Sequence, residues 1–242
     1  MTMDLVPGNV ASLISADAVR ERGQSVQRAL LGNQIAESLR KDILLGVIRP
    51  GTKLSQQRLC EQFGTSRMPV RDGLRVLARD GLVVTDAGQH TIVAPLSRAD
   101  LLDSYYIEGR LAGMAAVRAS ARASDDQLAV LDSLHVGMLE STASGDHQLM
   151  AQLNWALHRN INRMSGSRKL LSAIRAVSLD LPRDYLMEMP EWSVRSNDEH
   201  ARFLAAMAAK QHDEVGELVA AHIVESGRGL LAYLESQGLE LD

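Results

Sequence analysis

The residues that could do chemistry in this 242-residue chain are its histidines. Asn154 and His158 stand four apart in a helical stretch, so their side chains share one face. His200 and His222 flank the polar turn Lys210–Asp213, with residue 211 midway between them. If the two flanking helices form an antiparallel hairpin about that turn, the two imidazoles sit level and face each other. Two residues from one helix and one from each of two others is how a helical bundle builds an interior metal site. Three neutral imidazoles and one oxygen suit Zn²⁺, with Ni²⁺ and Mn²⁺ as weaker fits. The other reading is three core or surface histidines, each with an ordinary hydrogen bond, and spacing leaves both open. His135, His147 and His212 fall at expected helix surfaces or turns, and His90 between two β-rich runs.

A second set of chemistry-bearing residues is cationic. Arg67, Arg71 and Arg75 recur one helical turn apart, away from the apolar stripe Val70, Leu74 and Leu77. Ser66 stands at the N-cap position of that helix and Pro69 in its first turn, where a missing N–H costs nothing. Such a helix buries one side and offers guanidiniums that can grip phosphates or pair bidentately with guanine. An ordinary helical hairpin with a solvated cationic face would show the same stripe. The preceding segment places Leu59 and Phe63 on one face and stops at Gly64. Downstream, LVVTDAGQHTIVAPL predicts a β-hairpin about Asp86–Gln89, with Gly88 supplying the turn. Upstream, Ile35, Leu39, Ile43 and Leu44 share the face of another helix, closed by Gly46 and Pro50–Gly51.

Helix, helix, recognition helix and β-wing make a winged helix-turn-helix. Here the chain resembles the GntR family of bacterial transcription regulators, through LRKDILLGVIRPGTKL, QQRLCEQFGTSRMPVRDGLRVLARDGLV and the wing residue Gly88. Gly73 stands where that family usually carries alanine, at a cost of about 1 kcal/mol of helix propensity. The second half, roughly residues 97 to 235, resembles the FCD effector domain of the FadR subgroup. The resemblance rests on Asn154 and His158, on His200 in NDEHARFLAAM and on His222 in VAAHIVES. It implies a metal on those four residues, with Asn154 where many members have aspartate. It also matches Arg110, in IEGRLAGM, to an arginine near the family's effector pocket; Met114 stands where the family often has glutamate. Arg110 would meet either a carboxylate effector or an ion-pair partner such as Glu108.

The elements that must hold these residues are mostly helices. Residues 1–25 are expected to be a flexible arm, 26–95 the winged helix-turn-helix, and 96–238 an all-α bundle of six or seven helices. Ser97 and the capping-box sequence Ser124–Gln127 mark helix starts in that bundle. The stretch from Leu170 past Val177 is expected to be a long helix kinked at Pro182, and Glu188–Arg195 a loop. From Ser25 to Pro95 there are ten Lys/Arg against six Asp/Glu; from Leu96 onward, fourteen against twenty-one. A locally basic reader on an acidic body, at net charge −4, fits sequence-specific DNA binding with little non-specific background. Aromatic content of 3% argues against base-stacking recognition of single strands. A single cysteine, Cys60, excludes an internal disulfide framework. With no apolar run long enough to span a bilayer and no signal-peptide pattern, the expected location is cytoplasmic.

These readings converge on a homodimeric, ligand-responsive regulator of transcription, expected to be a repressor, that reads an inverted repeat in double-stranded DNA. Arg67, Arg71, Arg75 and Ser66 would face the operator, with Gly88 and Gln89 of the wing against its backbone. A small organic acid resting on the metal would be the effector. A metal-free acyl-CoA-type sensor on the same scaffold is one alternative. A metal-dependent hydrolase is another, but Glu199 adjoins His200 at i, i+1 and so points about 100° away from it, leaving no general base in place.

Overall fold

The computed structural model of the chain describes residues 16–95, 97–178, 192–239 and 241, with side chains from residue 30 onward. The first helix, α1 (Ala16–Leu44), reaches back into the stretch expected to be a flexible arm. It is followed by α2 (Gln56–Gln62), α3 (Arg67–Arg79), and the strands β1 (Val83–Thr85) and β2 (Thr91–Val93). The two strands pair antiparallel with Val83 opposite Val93, and Lys53 bridges Ile92 at their edge. One apolar cluster joins these elements: Ile35, Leu39, Ile43 and Leu44 of α1 meet Leu59, Val70, Leu74, Leu77 and Val93. This is the winged helix-turn-helix that the apolar spacing predicts.

Two details of this unit follow from local sterics. A Cβ on Gly73 would lie 2.9 Å from the Gly32 carbonyl and 3.1 Å from a methyl of Ile35. Close approach of α1 and α3 therefore requires glycine, which offsets its poor helix propensity. In the wing, Gly88 lies in the turn as expected, and the residue with positive φ is Gln89, at 61°. Asp86 organises the turn: Gln89 N–H donates to its carbonyl, and His90 N–H donates to its carboxylate at 2.7 Å. That last bond holds the Asp86 carboxyl below the usual range.

Beyond Pro95 the described residues form helices only: α4 (Arg98–Arg122), α5 (Asp125–Ser144), α6 (His147–Met164), α7 (Arg168–Val177), α8 (Trp192–Ala208) and α9 (His212–Ser236). Ser97 caps α4, and Ser124 and Gln127 close the capping box of α5. Trp192 to Arg195, expected in a loop, form the first turn of α8, with Trp192 buried in the core. Pro182, the expected kink, lies outside the described residues. The longest interface pairs α4 with α9, and small residues permit it. A Cβ on Gly113 would lie 2.6 Å from the Gly216 carbonyl, and one on Gly227 would collide with the Tyr105 ring. With its glycine face against α4, α9 turns Val215, Val219 and His222 toward the interior. Among the described residues no helix is long and apolar enough to cross a membrane.

Candidate functional site

Helices α5, α6, α8 and α9 surround a core of Leu131, Met138, Leu157, Phe203, Met207 and Val219. The candidate site is set into that apolar wall. Helix α6 carries His158 one turn after Asn154. Helices α8 and α9 form the antiparallel hairpin, turning through Lys210 in the left-handed conformation, with φ 58°. His200 and His222 are consequently level and buried, at 0% and 3% exposure; His158 is partly exposed as a residue. His222 Nε2 lies 3.1 Å from His158 Nε2 and 3.3 Å from His200 Nε2.

The protonation pattern of this cluster follows from its neighbours. His222 Nδ1 lies 2.6 Å from Glu199 Oε2. A carboxylate only accepts, so Nδ1–H donates and Nε2 is the atom turned into the cluster. Burial, and then the charge of His222, lowers the pKa of His158 to about 3. Burial drives His200 well below 6.5, with further contributions from His222, His158 and His135. Neutral imidazoles with converging nitrogens repel through their lone pairs unless a proton or a cation lies between them. Two imidazoles bound tetrahedrally at about 2.0–2.1 Å would place their nitrogens roughly 3.3 Å apart.

Orphaned polar atoms add to this picture. Among the described residues, Asn154 Oδ1, Trp192 Nε1, Asn197 Oδ1 and His200 Nδ1 are buried with no hydrogen-bond partner. All four belong to α6 and α8. A buried polar atom without a partner costs about 1–3 kcal/mol, which favours an ion, water or ligand among these walls. Three clustered imidazole nitrogens fit a divalent metal of borderline softness, and Asn154, one turn before His158, carries a buried amide oxygen with no partner.

Two residues were missed by spacing. Glu199 is set aside as a base for His200, its chain neighbour, yet it serves His222 on the adjacent helix. It fixes that ring's tautomer as a carboxylate does behind a metal-ligating histidine. His135, expected at a surface, is buried, and its Nε2–H donates to the Asn197 carbonyl at 3.1 Å. Arg110 is not brought to the cluster. It lies on the outer side of α4 with its side chain 73% exposed, 3.4 Å from Glu217. The inward face of α4 is taken by Tyr105, Gly109, Ala112 and Ala116, leaving position 110 toward solvent.

The second candidate surface is the outside of α3. Arg67, Arg71 and Arg75 are all exposed, opposite buried Val70, Leu74 and Leu77. Ser66 occupies the N-cap position but its hydroxyl makes no capping bond, contrary to expectation. Arg75 is held by Asp72 at 3.3 Å, whereas Arg71 donates to the Met68 sulfur at 3.1 Å. The wing residues Gly88 and Gln89 are likewise exposed.

Comparison with known proteins gives this arrangement a family. The profile of the bacterial regulatory proteins of the gntR family matches residues 31–93, and that of the FCD domain matches residues 103–225. The Nta operon transcriptional regulator of Aminobacter aminovorans is 28% identical over 179 residues, covering 72% of this chain and 82% of its own. The probable D-xylose utilization operon transcriptional repressor of Paenarthrobacter nicotinovorans is 27% identical, covering 68% of this chain and 71% of its own. The Glc operon transcriptional activator of Escherichia coli K12 is also 27% identical, over 72% of this chain and 78% of its own. E. coli McbR/YncC shares the fold, with a TM-score of 0.63 at 24% identity over 86% of this chain and 98% of that one. These relatives are regulators and not enzymes, and operator binding is the shared property of the family. The chain is therefore a GntR-family transcriptional regulator, with an N-terminal winged helix-turn-helix and a C-terminal FCD domain.

Proposed function

We propose that this regulator binds an inverted-repeat operator as a homodimer and changes its affinity when a small organic acid enters the bundle. Residues 26–95 act as the reader and 96–238 as the effector body, with 1–25 as an arm. Arg67, Arg71 and Arg75 read the operator, Ser66 takes a phosphate, and Gly88 and Gln89 lay the wing on the backbone. Asn154, His158, His200 and His222 hold a divalent metal, Zn²⁺ in the first instance and Ni²⁺ or Mn²⁺ otherwise. When bound, the ion supplies a Lewis-acid anchor for a carboxylate. The protein's part is to keep His158 and His200 neutral through burial, to aim His222 Nε2 inward through the Glu199 contact, and to exclude bulk water. The expected sign is repression in the cytoplasm. Arg110, on the outer face, takes no part in this effector site.

The observation that carries the effector half is the convergence of three Nε2 atoms with a carboxylate behind one of them. Elemental analysis of the purified protein tests it. About one Zn²⁺ or Ni²⁺ per chain, lost in His158→Ala/His222→Ala, is the expected result. No metal in either protein after reconstitution would leave the DNA-reading half standing and remove the metal from the effector half.

A further inference from the structure

We propose that Met68, together with Arg71, reads a thymine through its 5-methyl group, next to the guanine that Arg71 takes. The inference rests on the operator-binding reading above and names one element of the sequence that operator must contain. Met68 is the second residue of α3, in the helix end that a helix-turn-helix points at base edges. Although apolar, it is 44% exposed, while the next two residues, Pro69 and Val70, are buried. The core therefore does not account for it.

Its neighbour gives the exposed thioether a direction. Met68 and Arg71 are i, i+3 on the helix, so their side chains meet on one surface. The Arg71 guanidinium donates to Met68 Sδ at 3.1 Å, placing a cationic fork and an apolar chain side by side. Arg75 makes the contrasting choice and turns to Asp72. In the major groove of unmodified DNA the 5-methyl of thymine is the apolar group that a base edge displays. Guanine presents the O6 and N7 acceptors that suit a guanidinium. A joined guanidinium–thioether surface is thus complementary to a guanine with a thymine beside it. Methionine's unbranched, rotatable chain can follow the methyl as the helix seats in the groove.

The test begins with the full chain selecting duplexes from a random pool. A half-site containing a guanine with an adjoining thymine is the expected product. Replacing that thymine by deoxyuridine removes the methyl and nothing else. Wild type should then bind about four-fold more weakly, the effect of uncovering one methyl-sized apolar group. Met68→Ala should bind the two duplexes equally, and Met68→Leu should keep the preference. Since Met68 is exposed, neither substitution threatens the fold. An equal loss in wild type and Met68→Ala overturns the proposal, as does a wild type indifferent to uracil at every thymine of the half-site. A chain that enriches no duplex at all refutes operator reading itself, and the proposal with it.

Discussion

The arginines of α3 and the histidines of α6, α8 and α9 place opposite demands on solvent. The guanidiniums are exposed and keep their full charge, ready for a polyanion that brings its own screening atmosphere. His158 and His200 are held neutral by burial, which is the state that the proposed cation requires. The two surfaces therefore tolerate substitution differently. Truncating an exposed arginine removes an interaction and little else, whereas truncating a buried histidine empties space in a packed core. In the reader, function and stability are separable residue by residue; in the bundle they share the same atoms.

One pair in the reader cuts across this division and gives the largest expected effect on stability. Arg40 of α1 is only 5% exposed, and its guanidinium is tied to Asp80 at the end of α3. Asp80→Ala would strand a buried charge, at a cost of about 3 kcal/mol to the winged helix-turn-helix. Urea unfolding followed separately for reader and body would register it. Arg40→Met/Asp80→Ala, which removes both charges, should recover most of the loss. If the double variant is no more stable than the single one, the ion pair is not what joins α1 to α3.

Effects on the metal come next. Glu199→Gln keeps the size of the side chain but weakens the acceptor that fixes His222 Nδ1–H. Metal affinity should fall roughly 10- to 100-fold, with the fold unchanged. Competition against a calibrated chelator measures this, and an affinity equal to wild type would reduce Glu199 to a packing residue.

How much of this was legible beforehand follows the same division. The reader's working face could be read from α3 alone, because Val70, Leu74 and Leu77 fix which side is buried and so which side offers Arg67 and Arg71. The level placement of His200 and His222 was legible too, since a hairpin with a short turn sets its own register. What failed depended on a second element. Glu199 points away from its chain neighbour yet meets a histidine on the facing helix, and no spacing within α8 encodes that. His135 is buried because α8 lies over it. Arg110 faces outward because the glycines of α4 claim the inward side for α9. The left-handed Gln89 of the wing was not foreseen, because the bonds by which Asp86 gathers the turn's N–H groups are not recorded in residue propensity.

The smallest effect concerns protons, and it sharpens the contrast because exposed arginines cannot show it. In the metal-free protein, His158 titrates near 3 when folded and near its ordinary 6.5 when unfolded. Between those values the unfolded chain binds a proton that the folded chain refuses, so stability falls as pH falls through this window. The loss steepens below 6.5 as the unfolded His158 takes up its proton, and His200 acts in the same direction. About a unit above 6.5 both states are neutral and the contribution is flat. Urea midpoints of the metal-free protein at pH 8.5, 7.5 and 5.5 should therefore be nearly level over the first interval and drop over the second, chiefly in the transition of the bundle. Saturating metal should raise the midpoint at every pH without moving the onset of the drop, because the unfolded histidines set that onset. A reader transition that falls in parallel would place the responsible groups outside the histidine cluster.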